Sequence, residues 1–443
     1  MLNKVSVTTS CGALCGIDRG SYAEFRGIPY ASASRWEYPV ITTHWDGELD
    51  ATRFGACCDQ HRAFEEDRKV NPFYSKEFRR GCSFTYSEHC QFLNLYVPKN
   101  AKDAPILLYI HGGSFTGGSA DENHISGVAY AERGVLFAAI NYRLGPYGFC
   151  SHPALTDEEG RCGNYGLYDQ VAALKWIQEN ISAFGGDPKR ITLMGQSAGA
   201  MSVDILLSSP LCKDLISGAV LMSGAALERA LSHPLSPEKM QPFWELIMKQ
   251  AGVNTMAELK KTDEKVLYYA WKKACKETGL KSMTSYTFPC IDGALITEDS
   301  FSMRTISAMP KIIGMTSGDM FPIVLKALIR AWGRRDKNSR CYVYLFNRDL
   351  PGDKCGAWHS CDLLYAFGTL RKNWRPFTKT DDKISEKMIY ALTAFVKTGD
   401  PNCKAIPRWK PGTKKIMVFG KHTRMRAWPN GKLCKNTVFM KGP

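Results

Sequence analysis

The sequence predicts an α/β fold with a mostly parallel central sheet and helices on both faces, on three observations. Two uninterrupted apolar runs, at residues 105–110 and 135–140, suit strands covered on both sides. Between 164 and 184 the period changes: Leu167, Val171, Leu174, Ile177 and Ile181 recur at steps of three and four, one face of an amphipathic helix. The apolar run 191–194 then leads into Gly195-Gln196-Ser197-Ala198-Gly199 and a helix-like stretch at 200–207, which is βαβ order.

Taken along the chain, the first run ends at His111-Gly112-Gly113 and the second at Asn141-Tyr142-Arg143. Phe184-Gly185-Gly186-Asp187-Pro188 stops the amphipathic helix, as paired glycines followed by proline should. Further strands are expected at 218–223, 311–315 and 341–346. Residues from about 235 to 285 read as helical and mixed in charge, and a helical cap insertion over roughly 230–300 is expected above the sheet, where it would shape substrate access. No linker, repeat or low-complexity tract interrupts these signals, so residues 1–443 are expected to form a single catalytic domain.

Composition narrows the function classes. The first residues lack the apolar core of a signal peptide, and no apolar run is long enough to span a bilayer, so a cytoplasmic chain without membrane insertion is expected. The 16 cysteines are scattered and too sparse for a disulfide scaffold. Cys355, His359 and Cys361 are the one metal-like cluster, but a fourth ligand is missing, and neither metal nor cofactor is expected. The formal charge of +15 is uneven: no acidic residue follows Asp400, while Lys404, Arg408, Lys410, Lys414, Lys415, Lys421, Arg424, Arg426, Lys432, Lys435 and Lys441 crowd the tail. A solvated basic surface is the expectation, with no nucleic-acid partner, because no recognised motif or interleaved aromatic pattern accompanies the charge.

The Gly-x-Ser-x-Gly pattern at a strand-to-helix turn is the context of a nucleophile elbow, which exposes the Ser197 hydroxyl above the strand end. A serine hydroxyl needs a base, a group that orients the base, and donors for the developing oxyanion. His111-Gly112-Gly113-Ser114-Phe115-Thr116-Gly117-Gly118 follows a strand directly, so the amides of Gly112 and Gly113, with that of Ala198, are candidate oxyanion donors. His359, in the loop after the strand ending at Phe346, is the candidate base. Asp319 follows the 311–315 strand and keeps the order serine, acid, histidine, with Asp353 and Asp362 as fallback acids.

Several ordered blocks resemble the type B carboxylesterases, the cholinesterase-like branch of the α/β-hydrolases. Gly27-Ile28-Pro29-Tyr30-Ala31 is similar to the N-terminal signature of that family, and residues 87–94 (SEHCQFLN) to its Glu-Asp-Cys-Leu-x-Leu-Asn block. Residues 163–170 and 184–188 match the segment leading to the nucleophile. The likeness runs past residue 400 and is strongest to the shorter bacterial members. It implies an α/β-hydrolase fold, Ser197 as nucleophile, His359 as base, Asp319 as acid and an oxyanion hole at Gly112, Gly113 and Ala198. It also implies ion pairs Arg35–Glu88 and Arg143–Asp169 and a Cys58–Cys90 pair, expected as thiols in a reducing cytosol.

Three departures stand out. The acid is usually Glu, and Asp319 is one methylene shorter, so its backbone must come closer to His359. The residue before the nucleophile is often Glu and here is Gln196. The chain is shorter than the animal enzymes and lacks loops that narrow their gorge, so a choline-ester gorge is not expected. The expectation is therefore a cofactor-independent serine carboxylesterase acting on small-molecule esters as a monomer or homodimer. Phe115 and cap residues would line the pocket. The alternatives are a non-catalytic cholinesterase-like binding protein, or a lipase, feruloyl-type esterase or amide hydrolase on the same residues.

Overall fold

The computed structural model describes residues 3–212, 214–224, 234–279, 281, 286–297, 309–319 and 340–427. Among these, 13 strands form one sheet. It begins antiparallel, with β1 (Lys4–Thr9), β2 (Gly12–Asp18) and β3 (Tyr22–Pro29). A separate ribbon holds β4 (Ala31–Ser32) and β5 (Val40–Ile41), while β6 (Glu48–Asp50) lies parallel to β2. β7 (Phe92–Pro98) joins this antiparallel part to the centre. The centre is wholly parallel: β8 (Ala104–Ile110), β9 (Leu136–Ile140), β10 (Gly186–Gln196), β11 (Gly218–Met222), β12 (Lys311–Thr316), β13 (Cys341–Phe346) and β14 (Gly412–Phe419). β15 (Arg424–Ala427) closes the far edge antiparallel to β14.

The spatial order is β1-β2-β3-β7-β9-β8-β10-β11-β12-β13-β14-β15. From β8 the chain moves to β9 on one side, and from β10 to β11 on the other. The sheet therefore has its switch point between β8 and β10, where a crevice opens at the carboxyl ends of open α/β sheets. His111-Gly112-Gly113 and Ser197 stand at those two strand ends.

Both faces are covered, which is why the central strands read as unbroken apolar runs. Ile106, Leu108 and Ile110 of β8 enter one core with Leu136, Ala138 and Ile140 of β9. Leu107 and Tyr109 enter the other, with Phe137 and Ala139. The stripe Leu167, Val171, Leu174, Ile177 and Ile181 packs into the first core from the helix Tyr165–Asn180 and the 3-10 turn after it. The second is closed by the helix Lys379–Thr398, through Ile384, Met388, Ala391, Leu392 and Phe395. That helix carries its own boundary chemistry, a capping box between Thr378 and Asp381 and a left-handed Gly399 at φ 70°.

Two local expectations shift. β10 starts at Gly186 rather than near Ile191, because Gly186 pairs with Ala104 across a register shift that absorbs the expected turn. Part of the basic tail, expected simply as a solvated basic surface, also forms the β14–β15 hairpin: Lys414, Lys415, Arg424 and Arg426 are exposed, while Ile416 to Phe419 are buried. Lys432, Lys435 and Lys441 lie outside the described residues.

The helices Pro237–Ala251, Met256–Lys260 and Glu264–Thr278 occupy the region expected to be helical. Within the expected cap insertion, residues 230–233, 280, 282–285 and 298–300 lie outside the described residues. The N-terminal segment holds these helices: Arg35 Nη1 donates to the carbonyls of Thr262 (2.6 Å) and Lys260 (3.2 Å), and Trp36 stacks edge-on against Trp244. Both expected ion pairs are present, with Arg35 Nε 2.9 Å from Glu88 and Arg143 Nη2 2.8 Å from Asp169. The second is fully buried, so removing one partner would destabilise by about 3–5 kcal/mol. Cys58 and Cys90 are buried and free, and Cys58 Sγ accepts the Leu144 amide at 3.1 Å. Among the described residues no helix is long and apolar enough to cross a membrane.

Candidate active site

Ser197 sits between the last residue of β10 and the helix Ala198–Ser208, at φ 56° and ψ −125°. A side-chain-bearing residue holds such a conformation only when its surroundings enforce it, at about 1–3 kcal/mol. The enforcement here is close packing. A Cβ on Gly199 would lie 2.1 Å from the carbonyl oxygen of Ile110, so only glycine lets the helix start this close to β8. The Ser197 amide is tied to Met222 O at 2.8 Å. Positive φ also recurs nearby, at Ser114 (56°), Phe115 (59°), Ser223 (54°) and Ser360 (81°).

The loop after β8 comes up against this turn. A Cβ on Gly112 would meet Gln196 O at 2.5 Å and Ser197 Cβ at 3.1 Å, so Gly112 lies directly beside the serine. Thr116 and Gly117 amides fold back onto Gly113 O at 3.0 Å each. Among the described residues, the amides of Gly112, Gly113 and Ala198 have no acceptor within the fold. His111 bonds Gly112 O through Nδ1 at 2.8 Å and stacks on Tyr142. Burial lowers its pKa to about 4, so it stays uncharged. Phe115 is fully buried against Phe149 and Phe288.

Asp319 and His359 come from the loops after β12 and β13. The Gly318 amide donates to Ala357 O at 3.0 Å, and Gly318 pairs with Trp358 as an isolated parallel bridge. This brings the two backbones together and lets the short aspartate reach: His359 Nδ1 lies 2.5 Å from Asp319 Oδ1. Trp358 anchors its loop among the rings of Phe73, Tyr74 and Phe78, and the Tyr74 hydroxyl reaches His359 O at 3.5 Å. Burial disfavours the imidazolium, but the charge and hydrogen bond of Asp319 outweigh it, Asp362 adds to them, and the His359 pKa is raised.

The two fallback acids are engaged elsewhere. Arg375 holds both oxygens of Asp353 at 2.8 Å. Asp362 is buried and accepts the Tyr344 hydroxyl at 2.8 Å, and burial pushes its pKa up to about 6. Among the described residues no group of three His, Cys, Asp or Glu could hold a metal.

Sequence reasoning singled out Asp362 only as a fallback acid and Gln196 only as a departure before Ser197, and placed neither beside the candidate base. Gln196 Nε2 stands 3.1 Å from His359 Nε2, and Asp362 lies close enough to act on its charge. Adjacency to Ser197 in the first case, and a position three residues past His359 in the second, were the available signals.

The chain matches the carboxylesterase family over residues 3–331 and 320–430. It is 27% identical to the para-nitrobenzyl esterase of Bacillus subtilis (strain 168), over 93% of this chain and 94% of that one. It is 38% identical to the fumonisin B1 esterase of Sphingopyxis macrogoltabida over 224 residues, 48% of this chain, and spans 39% of that relative's length. Among solved structures it resembles a thermophilic PNB esterase, with a TM-score of 0.81 and 25% identity over 95% of this chain and 97% of that one.

Proposed function

Because the chain belongs to the carboxylesterase family, type B, and is a carboxylic-ester hydrolase, we propose that Ser197 is its nucleophile, His359 its general base and Asp319 the acid that orients the base. The observation that carries this reading is the 2.5 Å contact of His359 Nδ1 with Asp319 Oδ1. With the Nδ1 proton committed to Asp319, the Nε2 lone pair is left to take the hydroxyl proton of Ser197.

Ser197 Oγ attacks the ester carbonyl carbon as its proton passes to His359 Nε2. The carbonyl oxygen becomes an oxyanion, for which the amides of Gly112, Gly113 and Ala198 are the donors. The intermediate collapses, the Nε2 proton goes to the departing alkoxide, and an alcohol leaves with the acyl group on Ser197. Water then gives a proton to Nε2 and attacks the acyl carbon. Collapse returns a proton to Ser197 and frees the carboxylic acid.

In this reading residues 1–443 form one catalytic domain, capped by the helices between Pro237 and Thr278. Phe115, in edge-on contact with Phe288, is the pocket-lining residue of this reading. The substrate is a small-molecule carboxylic ester, as the names of the relatives suggest. Ser197→Ala is expected to lower kcat on a short-chain aryl ester by several orders of magnitude. Wild-type turnover by that variant would remove the mechanism.

A further inference from the structure

We propose that Gln196 is a positioning residue that holds Nε2 of His359 between turnovers and must yield that atom to Ser197 for each proton transfer. This rests on the reading of Ser197 and His359 given above. An amide nitrogen donates and does not accept, so its 3.1 Å approach to Nε2 requires the Nε2 lone pair as acceptor. That is the tautomer with the proton on Nδ1, facing Asp319 Oδ1 at 2.5 Å. Gln196 and Asp319 thus grip the ring from its two nitrogens, and the neutral amide supports the form that can act as a base.

Among the described residues, the charged and titratable groups around His359 include Asp319 on the β12 loop, Asp362 at the start of the helix Asp362–Ala366, Tyr74 on the helix Pro72–Phe78 and the buried Cys361 thiol. Both carboxylates favour the imidazolium. Gln196 does not: it donates to neutral Nε2 and, after a half-turn of its terminal amide, accepts from protonated Nε2 through Oε1. A glutamate at this position could serve only the protonated ring, and would add a third negative charge beside it. Methionine fills a similar volume and does neither. No proton leaves Gln196 at any point; it exchanges one hydrogen bond for another while the proton moves between Ser197 Oγ and His359 Nε2.

The test is the pH profile of kcat/KM on p-nitrophenyl acetate for wild type, Gln196→Glu and Gln196→Met. Gln196→Glu should move the acid limb up by about one to two pH units, because the added carboxylate stabilises the imidazolium. Gln196→Met should move it by less than about half a unit. If Gln196→Glu loses turnover altogether, the imidazole NMR titration of His359, assigned with His359→Gln, reads the same shift directly. A Gln196→Glu limb or titration that superimposes on wild type overturns the proposal, as does an equal displacement in Gln196→Met, which would mean packing rather than the contact to Nε2. Ser197→Ala separates the two layers. If it is inactive while the Gln196→Glu profile stays unmoved, only the role of Gln196 falls; if it turns over ester normally, the reading of the triad falls with it.

Discussion

A carboxylate one methylene shorter than glutamate reaches His359 because Gly318 and Trp358 pair directly, so the backbone supplies the distance that the side chain lacks. Asp319→Asn should therefore lower kcat by about 10³–10⁴-fold, since the amide no longer fixes the ring tautomer. Asp362→Asn should lower kcat by less than about tenfold and move the acid limb of kcat/KM to lower pH. The sign follows from its charge: Asp362 favours the imidazolium, the proposed role of His359 as base needs the neutral ring, and neutralising Asp362 lets that ring shed its proton earlier. Steady-state pH profiles of the two variants decide this, and a larger kcat loss in Asp362→Asn would transfer the acid role to Asp362. Ser197 and its flanking glycines were legible because Gly-x-Ser-x-Gly falls between an apolar strand run and a helix-like stretch. Asp319 and His359 were legible as candidates only, because two loop residues 40 positions apart have no periodicity to link them. The contact of Gln196 with His359 depends on where that second loop lands, which nothing near residue 196 encodes.

The element that matters most is the turn from β10 into the helix Ala198–Ser208. It brings a helix start against the end of β8, with the Gly199 Cα facing Ile110 O. Gly199→Ala would place a methyl 2.1 Å from that backbone oxygen, so strand or helix must move. The expected loss is about 2–4 kcal/mol of stability, read from urea denaturation, together with most of the activity. An unchanged urea midpoint would contradict the packing described here. The parallel strands were legible because burial on both faces writes them as solid apolar runs, and the helix Tyr165–Asn180 because one stripe repeats over four turns. The antiparallel entry strands carry a weaker pattern: β1 alternates exposed and half-buried residues, which short polar segments also do. The β14–β15 hairpin was masked by its own cations, which dominate its composition while Ile416 to Phe419 do the packing.

Across the molecule, buried carboxylates held by arginines set the response to acid. Burial opposes ionisation of Glu122, but Arg79 and Arg62 overcome it and hold its pKa at about 2. Asp381, similarly buried and bonded to Arg348, also falls to about 2. Both lie below the values near 4 of an unfolded chain, so their stabilisation is complete above about pH 4.5 and is lost as pH falls toward 2. The urea midpoint should drop as pH falls across that window; a midpoint that stays level down to pH 2 would contradict the ion-pair account. The net charge of +15 makes a separate prediction: added salt should lower kcat/KM for an anionic ester and leave a neutral analogue unaffected. An equal response of both would remove electrostatic steering. At the switch point of the sheet, turnover is expected to pass through an acyl group on Ser197. Acid quenching during turnover of an aryl acetate, followed by peptide mass spectrometry, should find the acetyl group on Ser197 and find none in Ser197→Ala. An acetyl group on another residue, or continued turnover in Ser197→Ala, would contradict it.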